Sequence, residues 1–149
     1  MNQEYEFLHE YPLFAGLSEE QMQAIMQVCR EECFVPDVTL YEEGQAAAEI
    51  FVLGEGEVEE AFTAGEAVLT LIHPTGPGEI IGCSALLPPS THRCTARSLT
   101  RLEVLAIDAV GLQKLFEEDC QLAVSIQQQV IRALLDRIGK LRLAGTEYA

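Results

Sequence analysis

Ile50-Phe51-Val52-Leu53-Gly54-Glu55-Gly56-Glu57-Val58-Glu59-Glu60-Ala61-Phe62 holds two short apolar runs separated by a glycine-rich turn. Runs this short, punctuated by glycine, read as strands rather than helices. The same rhythm extends on either side. Val38–Tyr41 precedes, and Ala67–Ile72, Cys94–Ser98 and Leu102–Ile107 follow. Gly44, Ala64-Gly65 and Pro74-Thr75-Gly76-Pro77-Gly78 mark the turns between them. Short strands at such regular spacing predict an antiparallel sandwich or roll from about Phe34 to Ile107. Ile80 to Thr91 breaks the rhythm with Gly82, the small Ser84 and Ala85, and Pro88-Pro89. That stretch is expected to be a loop with one helical turn.

Both flanks read as helical. Ser18-Glu19-Glu20-Gln21 is a capping-box pattern, and Met22, Ile25, Met26 and Cys29 follow at helical spacing. Leu13-Phe14-Ala15-Gly16-Leu17 is expected to staple this helix to the body. Toward the other end, Gly111–Phe116 predicts a short helix ending in Glu117-Glu118-Asp119. Asp119 is then a plausible N-cap for a long helix from about Cys120 to Leu143. Ala123, Ile126, Val130, Ala133, Leu134, Ile138 and Leu141 form an apolar stripe along it. At ~1.5 Å per residue it would be about 35 Å long, more than a small roll needs to cover itself. A second copy is the simplest partner, with Ile126, Val130, Ala133 or Leu134, and Ile138 in the seam. The expected layout is one domain over residues 1–149: a helical part to 33, a roll over 34–108 and C-terminal helices over 109–143. The fold class is therefore α+β, mainly β: an antiparallel β-roll or jelly roll with N-terminal helices and a long C-terminal dimerisation helix.

Charge excludes one class of partner. The 149 residues carry 24 acids against nine lysines and arginines, a formal net charge of −15. The imbalance is local, because residues 1–92 hold 17 acids and the single base Arg30. Duplex DNA is therefore not an expected ligand, since phosphate contacts need Lys or Arg. The acidic start lacks the basic and apolar regions of a secretory signal, and no apolar run has the ~20 residues a membrane span needs. Five cysteines, at 29, 33, 83, 94 and 120, form no even disulfide framework. A cytoplasmic location is the expectation.

Several fragments in sequence order resemble the cyclic nucleotide-binding domains of catabolite-activator-like regulators and of kinase regulatory subunits. They are Pro12–Ser18, Leu40–Gly44, Phe51–Val58, Pro77–Gly82, Ser84–Leu87 and Ala96–Thr100, followed by the long terminal helix. The resemblance spans about residues 11–143. It implies a sensory or regulatory domain that binds cyclic AMP, cyclic GMP or another small anion in the Gly82–Thr95 loop. The ligand-binding residues so implied are Gly82, Cys83, Ser84, Ala85, His92, Arg93, Cys94 and Thr95. In physical terms, backbone N–H groups at the start of a helical turn cradle the anion, small residues let it approach, and a guanidinium pairs with it. No Lys or Arg occurs between residues 31 and 92, and Arg93 stands where the loop ends.

The chain departs from the family pattern at two places. A glutamate that would hold the ribose is replaced by Cys83, and the arginine position falls on His92 or on Arg93 according to the frame. Cyclic AMP is accordingly expected to bind weakly or not at all, and Cys83→Glu to recover affinity. Regulators of this family carry a helix-turn-helix after the long helix, and a stand-alone sensory domain without one is the expectation here. Output is expected to pass through a protein partner or the dimer, and the alternative is a ligand-free dimeric interaction module.

Catalytic readings find little support. His9, His73 and His92 are isolated, whereas a metal-dependent double-stranded β fold needs clustered ligands. No Gly-x-Ser-x-Gly elbow occurs. No metal site or resident cofactor is expected. Cys29, Cys33, Cys94 and Cys120 read as small buried hydrophobes. Cys83 would be a reactive thiol only if exposed at the start of a helical turn.

Overall fold

The computed structural model describes residues 10–71 and 74–147, with side chains as far as Leu143. His9, His73 and the final residue of the predicted Ala67–Ile72 run lie outside the described residues. After a single 3-10 turn at Pro12–Phe14, helix α1 spans Glu19–Met26. Both halves of the Ser18 capping box form: Gln21 N–H donates to Ser18 Oγ (3.2 Å), and Ser18 N–H donates to Gln21 Oε1 (2.9 Å).

The chain then leaves the helix earlier than its spacing predicts. Cys29 belongs not to α1 but to strand β1 (Cys29–Phe34). Its side chain continues the apolar helical stripe, but the backbone of Cys29–Phe34 pairs in register with the last strand of the roll, from Cys29↔Ile107 to Phe34↔Leu102. A ladder of this length outweighs local helical periodicity.

Seven further strands follow: β2 (Thr39–Tyr41), β3 (Glu49–Glu55), β4 (Val58–Ala64), β5 (Ala67–Thr70), β6 (Ile80–Ile81), β7 (Thr95–Ser98) and β8 (Leu102–Asp108). They form two antiparallel four-stranded sheets, ordered β1-β8-β3-β6 and β2-β7-β4-β5. The two-residue β6 lies within the segment expected to be loop. It exists because Phe51↔Ile81 and Val52↔Ile80 pair with β3.

The first sheet is covered on both faces, which explains the unbroken apolar runs of its central strands. From β3, Ile50 and Val52 face the helices, while Phe51 and Leu53 face the second sheet. From β8, Leu105 and Ile107 face the helices and Val104 and Ala106 face inward. At the β3–β4 turn, Gly56 has φ +93°, and a Cβ there would sit 2.3 Å from Arg101 O. Only glycine fits.

Helix α2 (Ala109–Glu118) is capped by Asp108, whose carboxylate accepts from Gly111 N–H at 2.8 Å. Asp119 likewise accepts from Leu122 N–H at 3.1 Å at the start of α3 (Cys120–Glu147). Leu122, Ile126 and Val130 of α3 are buried in the domain's own core. Two of the expected seam residues, Ile126 and Val130, are thus unavailable to a second copy. The exposed apolar line runs instead through Val124, Ile131, Leu134, Leu135 and Ile138.

Candidate functional site

The segment from Gly82 to Thr95 leads from β6 in the first sheet to β7 in the second, and its helical turn packs on β3 and α2. Gly82 has φ +79° and precedes a 3-10 turn, Cys83–Leu86. A Cβ at Gly82 would lie 2.9 Å from Glu49 O, too close for any side chain, while the His92 Cε1 at 3.6 Å would be in ordinary contact. The first N–H groups of the turn, on Cys83 and Ser84, have no acceptor within it. Ala85 is buried against the core, which lets the turn sit close to β3.

At the other end of the segment, strand alternation separates the expected residues. His92 is 6% exposed, whereas Arg93 is exposed. Backbone bonds fix this register: His92 N–H donates to Gln45 O (2.9 Å), and Gly44 N–H donates to His92 O (2.8 Å). The His92 ring stacks on Tyr41, with centroids 3.7 Å apart and planes within 10°. Tyr41 in turn stacks on Phe51 at 6.2 Å. Burial pulls the His92 pKa below its usual value, so the ring is neutral at pH 7. Cys94 points inward, whereas Thr95 Oγ1 accepts from Glu43 N–H on the outer side (3.0 Å). Gly82, Cys83, His92 and Cys94 therefore converge, while Arg93 and Thr95 point away from them.

Two residues that sequence reasoning passed over complete the interior. Glu60 of β4 is 8% exposed and takes three donors. Thr75 Oγ1 donates to its Oε1 (2.7 Å), Cys94 Sγ donates to its Oε2 (3.1 Å), and Arg137 Nη2 of α3 forms an ion pair with Oε1. The signals were present. Glu60 is two residues from the buried Val58, which puts it on the inward face. Arg137 is seven residues from the buried Val130, which puts it on the body-facing side of the helix.

Burial, and next the nearby Glu60 carboxylate, push the Cys83 thiol up to about 11 and the Cys94 thiol up to about 12. Both stay protonated at neutral pH. Cys83 is thus a packing group against the core, not the low-pKa nucleophile that exposure at a helix start would give. A cavity of about 240 Å³ opens between α3 and the 77–80 stretch, lined by Pro77, Ile80, Cys83, Ala133, Arg137 and Lys140 among others; of the expected ligand residues only Cys83 lines it. It lies just below the ~300 Å³ at which small-molecule pockets usually begin. Among the described residues no group of three or more His, Cys, Asp or Glu could hold a metal ion, and no helix is long and apolar enough to cross a membrane.

Comparison with known proteins bears on the arrangement. The family model for the cyclic nucleotide-binding domain matches residues 31–119. A solved structure from Geobacter metallireducens GS-15, assigned to cyclic nucleotide binding, is 28% identical with a TM-score of 0.80, covering 93% of this chain and 99% of that one. The N-terminal domain of a transcriptional regulator from Streptomyces coelicolor A3(2) is 27% identical with a TM-score of 0.69, over 91% of this chain and 95% of that one. Potassium channel KOR2 of rice (Oryza sativa subsp. japonica) is 25% identical over 115 residues, which is 74% of this chain. The match spans only 16% of the channel's length.

Proposed function

The chain belongs to the cyclic nucleotide-binding domain family, and from that membership we propose that it is a sensory and regulatory domain and not an enzyme. Its ligand in this reading is a cyclic nucleotide or a related small anion, received by the Gly82–Thr95 segment. The observation that carries the reading is the left-handed Gly82 at the head of the Cys83–Leu86 turn, packed against His92 and β3. The turn's own hydrogen bonds use the N–H groups of Ala85 and Leu87 and not those of Cys83 and Ser84, from which an anion seated at its head would accept. Cyclic AMP binds weakly, because a thiol at Cys83 cannot replace a carboxylate as acceptor for a ribose hydroxyl. A hydrogen bond to a charged group is worth ~1.5–3 kcal/mol, on the order of 10- to 100-fold in affinity.

The reading includes a homodimer through the exposed face of α3 and a reducing, cytoplasmic setting. The exposed line Ile131, Leu134, Leu135 and Ile138 supports the first. Five unpaired cysteines support the second. A thermal-shift screen of cyclic mono- and dinucleotides tests the ligand, since a compound that binds only the native state raises the melting temperature. A rise with at least one of them is expected. A flat response to all of them would favour the second reading, a ligand-free dimeric interaction module. That reading has its own support: the Arg137 side chain already occupies the space beside Glu60.

A further inference from the structure

Arg137 differs from the other basic side chains among the described residues. Arg30, Arg97, Arg101 and Lys140 pair with carboxylates at the surface, and Arg93, Lys114, Arg132 and Arg142 are exposed. The Arg137 side chain is only 17% exposed and reaches from α3 to Glu60, with Cys83 lining the same cavity. It therefore stands beside the turn that would cradle an anion, in a site where Arg93 points away.

We propose that Arg137 is the residue that recognises an anionic ligand in this domain, and that Glu60 holds it in reserve by occupying its guanidinium when no ligand is bound. The inference rests on the ligand reading above. A phosphate group takes the Arg137 fork from Glu60, because a guanidinium matches phosphate oxygens in two parallel hydrogen bonds. Glu60 is not orphaned by the exchange, since Thr75 Oγ1 and Cys94 Sγ still donate to it. No covalent step is involved. The exchange leaves an unneutralised carboxylate near the ligand's own negative charge, so Glu60 acts against anions and sets a threshold for binding.

Lys140 bears on the same end of α3. Its Nζ lies 2.7 Å from Glu79 Oε1, three residues beyond Arg137 on the same side of the helix. Past Val130 the body-facing positions are Ala133, Arg137 and Lys140, so ion pairs replace apolar contacts there.

The test is calorimetric titration of the full chain with cyclic AMP and, separately, with inorganic phosphate. It uses wild type, Glu60→Gln, Arg137→Met and the double variant. Glu60→Gln is expected to tighten cyclic AMP binding at least tenfold, and Arg137→Met in that background to abolish the gain. Should Arg137→Met fail to fold, Glu60→Gln/Arg137→Lys keeps the charge without the fork and is expected to lose most of the gain. A gain that survives replacement of Arg137 would overturn the assignment. Wild-type binding of cyclic AMP that neither substitution alters would also overturn it, while leaving the ligand reading intact. Absence of binding of both cyclic AMP and inorganic phosphate in all four proteins would overturn the assignment of Arg137, whereas the ligand reading itself falls only with a flat response to every nucleotide in the thermal-shift screen. A response to inorganic phosphate equal to that to cyclic AMP would support Arg137 as an anion reader and deny it selectivity for nucleotides.

Discussion

Tyr41 and His92 lie ring on ring, 3.7 Å between centroids, although 51 positions separate them in the chain. Tyr41 is on β2 and His92 just precedes β7, the strand to which β2 is paired. The stack fills the roll interior next to Gly82 and keeps His92 dry. A neutral imidazole at this place donates or accepts a hydrogen bond but brings no charge to an anion.

Stability should therefore fall with acid before the carboxylates titrate. The folded-state pKa of His92 lies below the ordinary 6.5, so below that pH the unfolded chain binds a proton that the folded chain resists. The contribution is fully present above pH 6.5 and is lost as pH drops beneath it. Melting temperatures measured between pH 8 and pH 5.5 should hold level and then decline. His92→Phe, which keeps a ring on Tyr41, should flatten the decline, and an unchanged profile in that variant would assign the effect elsewhere.

The Glu60–Arg137 pair is largely withdrawn from water, so removing one partner strands the other. Arg137→Met should cost about 3 kcal/mol in chemical denaturation, the low end for a broken buried pair because the guanidinium keeps some solvent. Replacing both residues, as Glu60→Leu/Arg137→Met, should recover more than half of that loss. A double variant no more stable than Arg137→Met would show that Thr75 and Cys94, and not Arg137, carry the interaction.

Cys83→Glu by itself should not rescue cyclic AMP binding. A carboxylate there would face Glu60 in a partly buried space, and like charges at short range disfavour each other. Combined with Glu60→Gln, the same substitution should raise affinity by about tenfold or more through a charge-assisted bond to the ligand. Calorimetry on the single and combined variants distinguishes the two cases, and equal gains would remove Glu60 from the account.

The proposed homodimer would use the face of α3 that the roll leaves uncovered. Ile131→Asp with Ile138→Asp should give a monomer in sedimentation without lowering the melting temperature of the subunit. Val130→Asp should instead unfold the domain, because Val130 is 7% exposed within its own core. A dimer that survives the first pair of changes would place the contact on another surface.

Most of the roll was legible because its strands carry their own boundaries. Glycine turns bracket runs such as Ile50–Leu53 and Val58–Phe62, and Ser18 and Asp119 cap their helices through local hydrogen bonds. Gly82 and the small residues after it likewise announced a turn within the loop. β1 and β6 were not legible. Cys29–Phe34 has a charged middle, Arg30-Glu31-Glu32, and Ile80–Ile81 is two residues long. Each is a strand only because β8 or β3 lies beside it.

The candidate site divides in the same way. Sequence by itself determined the helical turn after Gly82, whose hydrogen bonds join residues within a few positions of one another. Tertiary structure alone decided what faces it. Pairing of the 44–47 segment with 90–92 turned His92 inward and Arg93 outward, a choice that shifts with a single step of register. Packing of α3 on the body brought Arg137 to a glutamate 77 residues earlier. Period-two and period-seven patterns can place Glu60 and Arg137 each on an inward face. That the two faces meet depends on how a helix lies across a sheet, and side-chain periodicity within either element carries no information about that.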